Sequence, residues 1–451
     1  MSEKLRNEKI SKLLILYSIP AIVGMVVSIL YNLVDRFFIG QWIGRLGIAG
    51  VSITMPISTF ILSVGLLVGI GSGVLISINL GRNDKKSAEE IIGNTISLLV
   101  LGGVIVSVIT FLFMDKILFF MGATPETLPF ARDYLYYLTL GLTFQIIFIG
   151  LNESIIGSGF PKKAMIISFI GCGMNIILDP IFIKFFGLGI KGAAIATSIS
   201  NIAATTAQIY YFTKGSSVIK IKLKNMKLRL DKIKDISNIG IAPFIMQASN
   251  CAIIIFINQA LKTYGGNINI AAYGIISSLN LLFFLPIVGI YQGSQPILGF
   301  NYGASLFERV RKTYILSLIV SVVISCIGFI LIFSIPDILV SPFIKNDEEL
   351  RILTIESAQI FFAMLFCLGF NLIGSSYFQS IGRPKITTFL NIFKQFILMI
   401  PLLIFLPSRM GLKGVWIATP IAELLTALVT GYYVYKEFKK LNVTNNVANN
   451  I

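Results

Sequence analysis

The chain has 451 residues, 55% of them hydrophobic and 13% charged, with a mean hydropathy of +0.84. Soluble domains carry about 25% charged residues, so a water-soluble fold is excluded; at roughly 20 apolar residues per crossing, the length supplies about twelve membrane helices and no separate soluble domain. The 37 Lys and Arg against 21 Asp and Glu give a net charge of +16, but the charges lie between apolar runs, which points to membrane topology and away from nucleic acid.

The polar start MSEKLRNEKISKLL leads into an apolar run longer than a signal-peptide core and without a small-residue cleavage pattern, so it is read as mature protein. Apolar runs follow near 14–40, 46–80, 91–113, 131–156, 163–186 and 190–213. After a basic link over 214–235 come six more, near 236–261, 269–299, 313–335, 354–379, 386–407 and 413–435. The runs are continuous and lack a period of two, so helices are expected and not a barrel. Lys4, Arg6, Lys9 and Lys12, then Arg82, Lys85 and Lys86, Lys162 and Lys163, and the link fall on one face, as do Arg309, Arg311, Lys312, Arg383, Lys385, Lys436, Lys439 and Lys440. The positive-inside rule makes that face, and both termini, cytoplasmic in a multi-pass cell-membrane protein.

The two halves repeat. IGSGFPKKA at 156–164 reads like QSIGRPKIT at 379–387, and LGIKGAAIAT at 188–197 like MGLKGVWIAT at 410–419. The same spacing pairs Pro20 with Pro243 and Asp35 with Asn258. Six spans per half is an even number, so both halves enter the membrane alike as a parallel repeat, an architecture suited to alternating access. The expected fold is therefore all-α: a six-helix lobe over 1–213, a cytoplasmic linker over 214–235, a second six-helix lobe over 236–440, and a disordered tail over 441–451.

Charged groups inside a bilayer cost about 2.5–3.5 kcal/mol each on insertion scales, so each needs a reason. In the first span Ser28, Asn32 and Asp35 share one helix face. Asp35 is read either as a functional acid or as an interfacial group paired with Arg36. The fifth span holds Asp179, with Asn175 one turn earlier and Pro180 next to it; Pro180 frees the carbonyl of Ile176, so a small cation or proton has a place to bind. An interhelical hydrogen bond is the structural alternative. The fourth span adds Gln145, Asn152 and Glu153, the last read also as a neighbour of Lys162 and Lys163, and the sixth adds the hydroxyl of Thr197. Neither acid recurs in the second lobe, so ionic chemistry is assigned to the first, although Lys394 lies inside a span and Glu423 is left without a role. The second lobe offers Gln247, Asn250, Asn280, Phe283, Tyr291, Gln292, Gln295, Asn371 and Gln379, amides and aromatics that suit broad recognition of amphipathic solutes or serve as glue between helices.

Catalytic patterns are weak. No histidine is present, which excludes a Ser/His/Asp triad and HExxH, and the glycine runs at 69–73 and 157–162 lack the strand a nucleotide loop requires. The four cysteines show no CxxC spacing. No enzyme, cofactor or resident metal is expected.

These motifs together, IPAIVGMVVSILYNLVDRFFIG, the GSGFPK and IGRPK turns, NIILDP, the paired KG-x-x-IAT segments and GIYQGSQPILGFNYGA, resemble the multidrug and toxic compound extrusion (MATE) family, in its bacterial MepA-type branch. The resemblance spans nearly the whole chain. It implies a V-shaped monomer of twelve helices that exports organic, often cationic, compounds in exchange for H+ or Na+. It implies a coupling site of Asp35, Asn152, Asn175, Asp179 and Thr197. Pro20 and Pro180 are read as hinges; Asn32, Gln145 and Glu153 join the polar residues of the second lobe as candidate substrate contacts. The family branch with coupling acids in the seventh and tenth helices is not matched, since residues 236–261 hold no acid. The alternative function is flipping a lipid-linked oligosaccharide, which calls for basic residues lining the cavity.

Overall fold

A computed structural model describes residues 2–344 and 347–448, without the side chains of Ser2, Cys251, Asn267 and 441–448. Among these residues all regular structure is helical. The first lobe contains α1 (Ile10–Trp42), α2 (Arg45–Gly81), α3 (Lys85–Leu112), α4 (Leu128–Gly157), α5 (Pro161–Pro180, continued by a π-turn over Ile181–Phe185) and α6 (Ile190–Thr213). The second contains α7 (Leu230–Gly266), α8 (Ile268–Gly303), α9 (Phe307–Ser334) and α10 (Glu348–Phe361 with Leu365–Ser380, bent by 47°). It ends with α11 (Pro384–Met410, with a π-turn over Phe393–Met399) and α12 (Leu412–Ala448). Residues 441–448, expected as tail, continue the α12 backbone, and 449–451 lie outside the described residues.

Ten of these helices are long and apolar enough to cross a bilayer, and the bent α10 makes an eleventh. The twelfth is α6, whose Ser, Thr, Asn and Gln residues lower its hydropathy. They are there because α6 packs on protein: Ser198 Oγ, Thr205 Oγ1 and Gln208 Nε2 donate to the carbonyls of Tyr137, Phe144 and Phe148 on α4 at 3.1, 2.8 and 3.0 Å. An inner helix satisfies polar groups against its neighbours and does not need a lipid-facing surface all round.

The repeat is visible in the backbone. Gly159 and Gly382 take φ of +86° and +73° in the turns before Pro161 and Pro384, and Gly189 and Gly411 take +56° and +60° before Lys191 and Lys413. Each turn thus uses glycine where an L side chain is strained, and in the first pair proline follows at the first helical position, where no N–H is needed.

The chain divides into two compact units, 1–2 with 19–247 and 3–18 with 248–451. The changeovers lie between Ser18 and Ile19 and between Gln247 and Ala248, close to Pro20 and Pro243, and not in the linker. In the first unit, a Cβ on Gly71 would stand 2.2 Å from the Ile236 carbonyl and one on Gly240 1.6 Å from that of Leu67, so α2 and the start of α7 touch backbone to backbone. In the second, the amino-terminal segment is held by Arg309, whose Nη2 donates to the carbonyls of Leu5 and Glu8 at 3.0 and 2.7 Å.

The basic linker is fastened to α3. Lys222 pairs with Glu89, Arg229 Nη1 reaches Glu90 at 3.2 Å, and the Arg229 N–H donates to Asn94 Oδ1 at 2.9 Å. Ser97 Oγ donates to the Met226 carbonyl at 2.6 Å.

Candidate coupling site and a second charge cluster

In the first unit, α1, α5 and α6 bring Asp35, Asn175, Asp179 and Thr197 together. All four side chains are buried, Asp35 at 7% exposure and Asp179 at 0%. Asn175 Nδ2 donates to Asp179 Oδ1 at 3.3 Å and to Thr197 Oγ1 at 3.2 Å, which ties α5 to α6. The carboxyl groups of Asp35 and Asp179 lie within hydrogen-bond reach of each other. Asp35 Oδ1, Asp179 Oδ2 and Asn175 Oδ1 are buried without a hydrogen-bond partner among the described residues. Arg36 does not close an ion pair with Asp35; its Nη2 turns to Met55 Sδ at 3.0 Å. The result is a set of oxygen acceptors, two of them acidic, with no Lys or Arg paired to either acid among the described residues.

Sequence reasoning missed Tyr31. Its hydroxyl is within hydrogen-bond reach of Thr197 and faces both acids. The signal was its position four residues before Asp35, on the same helix face, but a tyrosine in an apolar run reads as packing.

Asn152 stands apart from this group. It accepts from Ser168 Oγ at 3.5 Å, and Ser168 lies seven residues before Asn175 on α5, about 10 Å along the helix at 1.5 Å per residue. Pro180 closes α5 and is followed by the π-turn over Ile181–Phe185, so the freed Ile176 carbonyl lies beside a local change of helical pitch. Glu153 is buried while Lys162 and Lys163 are exposed, and its Cβ packs toward Gly69. Asn32 is exposed, its amide donating to the Ser28 carbonyl at 2.6 Å, and Gln145 buries an Oε1 that is unpartnered among the described residues.

The second unit departs from the expectation that ionic chemistry belongs to the first. Glu423 on α12 accepts from Lys394 Nζ through Oε1 at 2.6 Å and from Asn371 Nδ2 through Oε2 at 2.6 Å. Lys394 lies on the π-turn of α11, and the adjacent Gln395 Nε2 donates to Asn250 Oδ1 at 3.3 Å. The pair was illegible in sequence because its members are 29 residues apart on different helices.

The other candidate contacts of the second lobe do not converge on one point. Asn280 lines a small cavity beside Glu423, whereas Phe283 is buried in the lobe's core against Phe362, ring centroids 6.3 Å apart. Gln295 is buried with both amide atoms unpartnered among the described residues. Tyr291 packs at the edge of a second apolar cluster with Tyr314 and Tyr377, and Gln247 and Gln292 each have a polar or electrostatic contact within the fold.

The MatE family profile matches the chain twice, over residues 20–181 and 239–405, once in each half of the repeat. The chain belongs to the MatE family. It is 32% identical over 428 residues to "Multidrug export protein MepA" of Staphylococcus aureus strain N315, covering 95% of this chain and 94% of that protein. Among solved structures, it matches the MATE multidrug transporter DinF-BH in complex with R6G at a TM-score of 0.87 and 33% identity, over 94% of this chain and 95% of that one. A MOP superfamily transporter from Pyrococcus furiosus matches at 0.90 and 25% identity, over 98% of both chains. The two matches, one in each half, agree with the repeated layout of the chain.

Proposed function

We propose that this MatE protein is a secondary antiporter that exports amphipathic organic compounds, chiefly cations, from the cell in exchange for H+ or Na+ by alternating access. The observation that carries the reading is the Asp35–Asp179 pair, two buried carboxyl groups at hydrogen-bond reach with oxygens that lack a donor among the described residues. Two acids so placed bind a proton or a small cation between them, because both cannot hold a negative charge there unaided. Asn175, Thr197 and Tyr31 supply oxygen atoms and fix the geometry; Asn152 acts at a distance, through α5. Pro20, beside the point where α1 changes units, and Pro180 serve as hinges. The protein works as a monomer with both termini in the cytoplasm.

Coupling requires that the ion bind the two access states with different affinity. At ~100 mV one charge supplies about 2.3 kcal/mol and each pH unit about 1.4 kcal/mol, so one proton supports a gradient of a neutral compound of roughly 500-fold. Lys394 favours this reading over a flippase. It is a basic residue within a span, of the kind a pyrophosphate-bearing cargo would need, and Glu423 neutralises it.

The test is efflux from proteoliposomes loaded with a fluorescent organic cation, under H+ and Na+ gradients imposed separately. One of the two gradients drives export by the native protein, and Asp179→Asn abolishes it while the protein remains inserted. Efflux by Asp179→Asn at the native rate would remove Asp179 from the coupling site.

A further inference from the structure

The cluster around Glu423 takes no part in ion coupling as read above. Glu423 is buried, and beside it lies a cavity of ≈ 20 Å³ bordered by Asn280, Phe361, Phe362, Met364 and Thr419. That space admits a water-sized group, which is the size of an ammonium head. Thr419 lies one helical turn before Glu423, on the same face of α12. Its Oγ1, and Asn371 Oδ1, are buried without a hydrogen-bond partner among the described residues. The site thus offers a carboxylate and two spare acceptors beside an aromatic wall. The positive charge with N–H donors that meets the carboxylate is that of Lys394.

Lys394 shows that such a group fits, since its own primary ammonium already bonds Glu423 Oε1 at 2.6 Å. Lys394 is also the less buried partner, its side chain 25% exposed against 10% for Glu423, so it has a way out when displaced. We infer that the Glu423–Asn371–Thr419 cluster is a recognition site for the protonated amine of an amphipathic organic compound, and that Lys394 is its tethered resident, displaced when the compound binds. The inference rests on the export reading for the identity of its ligand. A primary or secondary ammonium donates to the three acceptors while its apolar body lies along Phe361 and Phe362. A quaternary ammonium has no N–H to donate to these acceptors.

A tethered competitor lowers apparent affinity by the fraction of time the site is free. If Lys394 holds Glu423 for nine-tenths of the time, its removal tightens binding about tenfold. The experiment is equilibrium calorimetry on the full chain in detergent, with two probes: an arylalkyl primary ammonium and its trimethylammonium counterpart. Lys394→Met is expected to bind the primary ammonium about tenfold more tightly and the trimethyl compound less than twofold more tightly, and Lys394→Arg to keep the native value. Unchanged or weaker binding of the primary ammonium by Lys394→Met, or an equal shift for both probes, overturns the inference. Should Lys394→Met fail to fold, the charge-balanced double variant Lys394→Met with Glu423→Gln takes its place. Loss of primary-ammonium binding relative to the native protein supports the site, and retained binding overturns it. The two readings fail separately: gradient-driven efflux without a shift in Lys394→Met overturns the amine site alone, and a shift without efflux overturns the export reading alone.

Discussion

The two lobes share turns, proline positions and glycine backbone angles, yet they treat buried charge in opposite ways. In the first, Asp35 and Asp179 face each other with no Lys or Arg paired to either among the described residues. In the second, Glu423 is matched by Lys394 and by the Asn371 amide. A buried carboxyl pair without a base leaves negative charge unmatched by the protein, whereas a carboxylate paired with an ammonium is balanced within the fold. One scaffold, duplicated, thereby carries two kinds of charge site, and the difference rests on a few side chains.

The sharpest way to break this contrast is to neutralise one charge in each lobe. Asp179→Asn removes an acid from an uncompensated pair, so ion-driven efflux should fall by more than about 100-fold, the scale of a lost obligatory coupling group, with thermal stability kept or raised. Glu423→Gln does the reverse. It leaves Lys394 in the lobe without its counter-ion, which costs about 3 kcal/mol of stability, the low end for a broken buried pair given that Lys394 is part-exposed. A fall in apparent melting temperature in detergent, absent in the double variant with Lys394→Met, reports it. Equal destabilisation by both single substitutions would erase the distinction between the lobes.

Smaller changes sharpen the first site. Tyr31→Phe removes a hydroxyl within reach of Thr197 and should slow efflux about fivefold, the value of one hydrogen bond near 1 kcal/mol. Asn152→Ala should do less than Asn175→Ala, because Asn152 bonds Ser168 and Asn175 bonds both Asp179 and Thr197. Initial rates in proteoliposomes at matched protein density separate the two; a larger loss at Asn152 would place the ion nearer α4.

How much of this was readable beforehand follows from the physics of each feature. Asp179 was legible because an acid in an apolar run is costly and stands out against its neighbours. The span α6 was legible both as an apolar run over 190–213 and as the partner of α12 in the repeat, although its hydropathy is lower than that of the other spans. Tyr31 was not, since a tyrosine is ordinary on an apolar helix and its role comes from what α6 places opposite. The pairing of Lys394 with Glu423 was hidden because it depends on the π-turn in α11 and on the packing of α12, and no local spacing encodes either. The lobe boundaries followed the linker in sequence, whereas the compact units divide near Pro20 and Pro243 because the first turns of α1 and α7 are held by helices of the opposite half.

The smallest expected effect concerns α6 itself. Thr205→Val keeps shape and removes the hydroxyl that donates to the Phe144 carbonyl at 2.8 Å. Interhelical hydrogen bonds in membranes are worth about 0.6 kcal/mol on average, because the separated helices find other partners in their place. One substitution should therefore lower stability only slightly. Ser198→Ala, Thr205→Val and Gln208→Leu together should cost about 2 kcal/mol if the three bonds act independently. A triple variant as stable as the native protein would mean that α6 is held against α4 by close packing alone, with its polar residues retained for the sake of Thr197 and the coupling site.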